Sequence, residues 1–416
     1  VGVWICIAAF GMFNMHASME EQQFRNEIAN EYHGKTIVFK GIVVEIKATE
    51  KGFKYRLQLT GIDHFQTWLF QKKKLECEIA DTLAGKGEFQ EISSVRNPGE
   101  FDFQGFYHRQ NLYGWIFPDK HEQIIISNNA HWHFGRFIHE LQQNIRQLFN
   151  SYAEGDAGGL LSALILGDKS DVTPDIKDSF AKTGVIHVLA VSGLHVGYVL
   201  IILLLIKNMF SLPWGYDRIV VIVGLALFVI LTGGKASVIR ASIMAGLYIL
   251  SPVFNRTANI WNIIGGAALA ILAFRPMDLF DLGFQLSFLS VASIIYFYEW
   301  FEKVLPENLK VSKISNKVVQ FFWGLFLVSF AAQIGTLPIT SHIFGKVPLI
   351  ALLANVLIVP LIGVLVGIGF FLLFLSWIPG VGYALGNSAW LISKIITFST
   401  KTFSSFTFST LNMSFS

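Results

Sequence analysis

The chain has 416 residues, 53% of them hydrophobic and only 15% charged, with a formal net charge of +3 and a mean hydropathy of +0.51. Soluble globular chains carry about 25% charged residues, so this composition excludes one and indicates an integral membrane protein. The net charge is too small to argue for any partner, and two cysteines, Cys6 and Cys77, are too few for a disulfide framework. A bond between them would require the soluble part of the chain to fold back onto the membrane.

In chain order, residues 1–17 are apolar as far as Asn14 and His16. They lack the basic n-region and small-residue cleavage site of a secretory signal, and are read as a transmembrane helix cut short. Residues 19–182 hold most of the acids and bases. Within them, 34–128 is short-patterned and β-branched, with strands expected at 36–46, 54–59, 67–70 and 123–126. Several short strands in so small a span predict a closed or nearly closed β-barrel. Arg96-Asn97-Pro98-Gly99 is a turn, and the aromatic stretch 101–113 after it is read as helical. The connecting segment, 131–183, holds two helices. The first, over 134–152, gathers Phe137, Leu141, Ile145, Leu148 and Phe149 on one face and suits a membrane interface or a soluble-domain surface equally. In the second, Thr173 is the N-cap, Pro174 the first helical residue and Gly184 the stop.

From 184 to 400 the chain reads as a polytopic helical membrane domain with broken helices, one break being allowed by the glycines of the 187–197 run, with spans at 185–206, 218–231, 236–250, 260–274, 279–298, 318–337, 349–375 and 383–398. A full crossing needs about 20 apolar residues, so several are too short to be simple helices. The 349–375 span is too long for one straight crossing and is expected to break at Pro360, with Asn355 satisfying freed backbone groups. The basic loop 303–317 is a weak cytoplasmic signal, because Glu302 and Glu307 dilute it. The tail, 401–416, is rich in Ser, Thr and Phe and is read as cut short.

The run His187-Val188-Leu189-Ala190-Val191-Ser192-Gly193-Leu194-His195-Val196-Gly197 concentrates polar groups and glycines inside an apolar span. Such groups are costly in lipid and are kept where they line a cavity or meet a partner, so a membrane pathway is expected here. Ser192 and His195 share a helix face and invite a nucleophile-and-base reading, but no acid in the motif orients the histidine. Pathway lining and hydrogen bonding between helices account for His187, Ser192, Gly193 and His195 in equal measure. Arg240 costs about 2.5–3.5 kcal/mol in mid-membrane, so it faces a polar cavity or snorkels to head groups beside Thr232-Gly233-Gly234-Lys235. Gln285, Ser287, Gln333 and Asn355 are further polar residues of the spans, better suited to tying helices together than to touching a substrate. Asp278 and Asp281 read as solvated or capping residues, and no spacing of ligands suggests a metal or other cofactor.

In the β-rich part, Lys51, Phe53, Lys54, Tyr55, Arg56, Trp68, Phe70, Lys72, Lys73 and Lys74 interleave cations with aromatic rings. A sequence-neutral single-strand binder needs stacking faces beside cations. An aromatic core with a basic edge that blocks strand pairing accounts for the same residues.

Several islands resemble the ComEC-type competence proteins, the inner-membrane DNA channels of natural transformation in bacteria. They are Arg96-Asn97-Pro98-Gly99-Glu100-Phe101-Asp102, Leu166-Gly167-Asp168-Lys169, and the stretch from Phe180-Ala181-Lys182-Thr183-Gly184 through Ser192-Gly193-Leu194-His195-Val196. Ser237-Val238-Ile239-Arg240-Ala241, Phe280-Asp281-Leu282-Gly283-Phe284-Gln285-Leu286-Ser287-Phe288, Ala332-Gln333-Ile334-Gly335-Thr336-Leu337-Pro338 and Asn355-Val356-Leu357-Ile358-Val359-Pro360 follow in the family's order. The resemblance implies that 34–128 is an extracytoplasmic OB-like domain, inserted after the first transmembrane helix, and that 184–400 is the channel for one DNA strand. It implies a bacterial cytoplasmic membrane, a DNA receptor and a separate cytoplasmic motor, with the family's nuclease either lost by truncation or supplied by another protein. The family's larger members carry a His-x-His-x-Asp-His nuclease cluster, whereas His131-Trp132-His133-Phe134-Gly135 lacks the following Asp-His. No phosphate-binding G-x-x-x-x-G-K-[ST] loop is present, so no enzymatic activity is expected of this chain. Two other readings remain at this stage: a small-solute secondary transporter with His195 or Arg240 at its site, and an intramembrane hydrolase using Ser192 and His195.

Overall fold

The computed structural model describes residues 2–49, 51–94, 102–119, 124–128, 133–209, 216–254, 257–406 and 410–412. It divides into two units, Val1–Leu141 with Ile271–Asp281, and Gln142–Ala270 with Leu282–Ser416.

The first unit begins with α1 (Gly2–Tyr32), followed by β1 (Thr36–Thr49), β2 (Gly52–Leu59), β3 (Gln66–Gln71), β4 (Thr82–Glu91), α2 (Phe103–His108), β5 (Leu112–Pro118) and β6 (Ile125–Ser127). Helix α1 runs far past the apolar segment predicted at 1–17, because neither Gly nor Pro interrupts the chain between Met12 and His33. Its last turns dock on the sheet through Ile28 and the fully buried Ala29. Strand β1 pairs antiparallel with β4 over Thr36 to Ile42 and with β2 over Gly41 to Thr49, and a bulge between Val43 and Glu45 bends it between these partners. Strands β2 and β3 pair antiparallel, β3 and β5 parallel, and β5 and β4 antiparallel. The ladder therefore returns to β1 as a cycle of five strands, with β6 beside β4. Phe39, Tyr55, Leu57, Leu69, Phe89 and Tyr113 fill its core.

Strands β4 and β5 escape the sequence reading because Gly85, Gly87, Gly114 and the charged residues of β4 lower β-propensity. The glycine is required at Gly114, where a Cβ would lie 2.5 Å from the ring of Phe89. The helix expected over 101–113 shrinks to α2, since Leu112 already belongs to β5. The turn at Arg96-Asn97-Pro98-Gly99 and the pair His131-Trp132 lie outside the described residues, as does the side chain of Cys6. Cys77 is a buried free thiol whose pKa burial raises to about 11. Asp278 corrects an expectation: it is not solvated but buried, 3.2 Å from Arg275.

The helical part comprises α3 (Phe134–Tyr152), α4 (Asp156–Ile165), α5 (Pro174–Lys182), α6 (Ile186–Leu189), α7 (Gly193–Met209), α8 (Tyr216–Leu231), α9 (Ala236–Leu250), α10 (Ile260–Phe274), α11 (Leu282–Val304), α12 (Lys317–Phe344), β7 (Lys346–Pro348), α13 (Ala351–Leu375), α14 (Val381–Ser404) and β8 (Thr410–Asn412), which pairs with β7. Helix α5 starts as the sequence predicts, with Thr173 at the N-cap and Pro174 inside the first turn. Helix α4, unpredicted, is buried from Ala157 to Ile165 and packs against α13 and α14.

One expectation about a break is reversed. Helix α13 runs unbroken through Pro360, and α12 through Pro338. A proline removes one N–H, and inside a packed bundle neighbouring groups compensate for it. The break that the glycines of the polar run allow does occur: the span at 185–206 is two helices, because Ala190 is extended (φ −92°, ψ 137°). Among the described residues four stretches are long and apolar enough to cross a membrane: Ala236–Val253, Leu282–Val304, Lys317–Ile343 and Ala351–Leu375. Only 11% of the first three is buried, and apolar faces left so open require lipid around them. The chain is a membrane protein.

Candidate functional site

The break between α6 and α7 is built from its own sequence. The Ser192 carbonyl accepts from the His195 backbone N–H at 3.0 Å, which starts α7. In return the Ser192 backbone N–H donates to His195 Nδ1 at 3.1 Å, and Ser192 Oγ lies 3.1 Å from the same nitrogen. This is the reciprocal logic of a capping box, with an imidazole where Glu or Gln usually stands. Because Nδ1 accepts, the neutral ring carries its proton on Nε2, which is buried without a hydrogen-bond partner. His195 is 0% exposed, so the structure places it as a cap inside the protein. The exposed residues of the run are His187, Gly193 and Leu194. His187 Nδ1 lies 3.2 Å from the Gly184 carbonyl.

Helix α9 pins the break. Ser237 Oγ donates to the Val191 carbonyl at 2.7 Å, and a Cβ at Gly193 would meet that of Ala241 at 3.4 Å. One turn after Ser237 comes Arg240, only 6% exposed, which rules out a snorkelling role at the surface of this fold. Helix α13 runs alongside in the same direction. Gly184 (φ +74°) lies against Pro348 and Ala351, and Tyr198 Oη donates to the Val359 carbonyl at 2.8 Å. Asn355 is therefore level with the break, and its Oδ1 is buried with no hydrogen-bond partner. Gln333 Nε2 donates to the Pro348 carbonyl at 3.3 Å, tying α12 to the same end of α13. Gln285 is exposed and Ser287 half-buried on the first turns of α11.

In the first unit the alternation of the strands sorts the predicted binding residues. Tyr55 points inward, is 0% exposed, and its hydroxyl accepts from the Leu75 N–H at 2.7 Å; it is a core residue, and its expected place on a binding face is corrected. Phe53 packs against that same core. Trp68 faces out but is only 7% exposed, buried beside Ile92 and Leu112 with Trp115 6.4 Å away. Arg56 donates to the Gln110 carbonyl at 2.7 Å and lies 3.8 Å from Glu45. Lys72, Lys73 and Lys74 are exposed after β3.

What remains free is a groove of about 800 Å³ lined by Lys51, Lys54, Phe70, Gln90, Trp115 and Phe117. The register places Lys54 opposite Phe70 and Trp68 opposite Trp115, so the outer face of β2, β3 and β5 carries a cationic row beside two aromatic rows. Lys54 Nζ stands 4.3 Å from the Trp115 ring, and the Phe70 and Phe117 rings are 6.3 Å apart. Burial against this face, and then the charge of Lys47, lower the Lys54 pKa from its ordinary value. Sequence reasoning missed Trp115 and Phe117; their i, i+2 spacing in Trp115-Ile116-Phe117 was the available signal. No cluster of His, Cys, Asp and Glu among the described residues could hold a metal ion.

Comparison with known proteins follows the second unit closely. The family model described as competence protein matches residues 164–416. The chain is 29% identical to ComE operon protein 3 of Bacillus subtilis (strain 168) over 77% of this chain and 38% of that protein. It is 24% identical to competence protein ComA of Neisseria gonorrhoeae over 58% of this chain and 33% of that protein. It is 31% identical to an uncharacterized protein of Aquifex aeolicus (strain VF5) over 47% and 43% of the two chains. The chain thus spans less than half the length of each of these relatives. No solved structure matches it. With 164–416 carrying the match, the helix break, its Ser237–Arg240 support and the Asn355 turn all fall in the shared region, and the chain belongs to the competence protein family, as a ComEC-type member.

Proposed function

We propose that this chain takes up DNA as a single strand, receiving it on the first unit and passing it across the cytoplasmic membrane through the second. The observation that carries the reading is the groove on β2, β3 and β5, where Lys51 and Lys54 border Phe70, Trp115 and Phe117. A passing single strand needs stacking surfaces indifferent to sequence and cations that follow its backbone, and this face combines both. The cyclic ladder with its parallel β3–β5 pair supports an OB-like barrel, a fold whose strand 2–3 face commonly binds oligonucleotides. In the second unit, the non-helical residues between α6 and α7 are irregular backbone of the kind tolerated at membrane depth only within protein or beside water, which supports a route beside the exposed Gly193 and Leu194. Arg240 and Asn355 are the polar groups level with that break. Names such as ComE operon protein 3 and competence protein ComA, borne by relatives, support the setting of competence.

The Ser192–His195 pair is less suited to hydrolysis than its spacing suggests. Its Nδ1 already accepts the Ser192 backbone N–H, and among the described residues no carboxylate orients Nε2. The test is photocrosslinking in competent cells, with the reactive residue at Leu194 and, separately, at the lipid-exposed Leu205. Labelled incoming DNA is expected on Leu194 and not on Leu205. Equal labelling at both, or at neither while uptake continues, refutes the conduit.

A further inference from the structure

Across the outer face of the β unit, the rows of side chains change chemistry in one direction. Directly paired residues share a face, so the register gives one row as Lys47, Lys54 and Phe70 and a neighbouring row as Arg56, Trp68, Trp115 and Gln90. Phe117, whose ring is 6.3 Å from that of Phe70, continues the first row to its partner Glu88. Cations thus stand on β1 and β2, rings on β3 and β5, and an acid and an amide on β4. The groove repeats this order, with Lys51 and Lys54 on one rim, Gln90 and Glu91 on the other, and Phe70, Trp115 and Phe117 between them. Glu45, the acid of the cationic side, is taken up by Lys47 at 2.7 Å and lies 3.8 Å from Arg56. Lys86, the cation of β4, lies on the far side of Glu88 from Gln90 and does not line the groove. The β4 rim offers acceptors. Gln90 Nε2 donates to Glu88 Oε1 at 3.0 Å, and Gln104 Nε2 donates to Glu91 Oε1 at 2.7 Å. Each carboxylate holds its amide by the NH2 end, because it would repel the amide oxygen. Gln90 Oε1 and the second oxygens of Glu88 and Glu91 have no protein donor among the described residues. Such a rim repels a phosphate and accepts from a base amino group.

Resting on the proposed uptake reading, we infer that the groove holds the strand in one orientation across the sheet. Its phosphates lie along Lys51 and Lys54, and the amino edges of its bases meet Gln90, Glu88 and Glu91. Cytosine is favoured, since its N4 amino group donates to a carboxylate, whereas thymine has a carbonyl oxygen, O4, in that place. Stacking on Phe70, Trp115 and Phe117 still admits every base, so the preference is modest and the groove remains open to any sequence. Glu88, Gln90 and Glu91 are in this way specificity-determining residues of the strand-binding face, distinct in role from the lysines that follow the backbone.

The experiment compares fluorescent oligodeoxycytidylate and oligothymidylate of equal length, by anisotropy across a salt series, with the full chain in phosphatidylcholine nanodiscs at mildly alkaline pH. The unmodified chain binds the cytosine strand about fivefold more tightly, the effect of one net hydrogen bond. Glu88→Gln/Glu91→Gln keeps the shape of the rim but gives it donors, and brings the two strands to within about twofold of each other. Lys54→Gln acts on the opposite rim. It lowers the magnitude of the slope of log K against log salt by about 0.7 for both strands and keeps the cytosine preference. A preference below about twofold in the unmodified chain, or one that survives in a folded Glu88→Gln/Glu91→Gln protein, overturns the orientation while the uptake reading stands. Failure of the unmodified chain to bind either strand overturns both.

Discussion

Replacing Trp115 with alanine tests the strand-binding face most sharply. The ring lines the groove together with Phe70 and Phe117, with Lys54 Nζ 4.3 Å from its centre. A base stacked on such a ring contributes about 1–3 kcal/mol, which corresponds to a loss of about 5- to 150-fold in affinity for a single strand. The lost cation–π contact adds about 0.5–1 kcal/mol to the cost in stability, but it frees Lys54 for phosphate and so offsets little of the binding loss. Tyr55→Phe is the matched control. Its ring lies in the core and is 0% exposed, so losing the hydroxyl that accepts from Leu75 costs about 1 kcal/mol of stability and leaves binding unaltered. The assay is anisotropy of an oligothymidylate with the full chain in nanodiscs, alongside thermal melting of each variant. A folded Trp115→Ala protein that binds within twofold of the parent, or a Tyr55→Phe protein that binds as poorly as Trp115→Ala, refutes the assignment of the face.

Three further outcomes follow from packing and titration. Gly335→Ala would place a Cβ 1.7 Å from Ser293 Oγ and 2.5 Å from its Cβ, forcing α11 from α12 at a cost of about 1–3 kcal/mol. Adding Ser293→Gly should recover most of the melting temperature in detergent; no recovery would mean the contact is not the cause. Ser237→Ala leaves the Val191 carbonyl without its 2.7 Å donor, and loss of about 1 kcal/mol should speed hydrogen exchange at 190–193 roughly fivefold while α13 is unaffected. Burial, against the raising effect of Asp102, pushes the His108 pKa down to about 4, so the folded protein keeps it neutral where the unfolded chain takes up a proton near 6.5. Stability of the β unit is therefore intact above about pH 6.5 and falls as pH drops from there to about 4. Hydrogen exchange in β5 should show the loss, and His108→Gln should flatten it.

The apolar helices were legible because apolar length is a one-dimensional signal: the ends of α8, α9 and α10 fall within two residues of those read from sequence. Prolines misled the same reading, since a helix buried against α4 and α14 tolerates Pro360 that an isolated one would not. The β unit was half legible. Strands β1 to β3 alternate clearly, whereas β4 depends on glycines that make sense only once β5 and Phe89 lie against them. Among site residues, type and spacing suggested a cationic, aromatic surface, but adjacent strand residues point to opposite sides. Only the register separates Lys54, outside, from Tyr55, in the core.

By itself the sequence determined the membrane class, the division into a β-rich and a helical part, and the position of the polar run from His187 to His195, because composition and local pattern suffice for each. Tertiary structure decided what that run does. It turned His195 into a buried cap and handed the Val191 carbonyl to Ser237 in another helix. The physical reason is that a hydrogen bond or a shared field needs groups within a few ångströms, and residues so far apart along the chain reach that distance only when the helices pack.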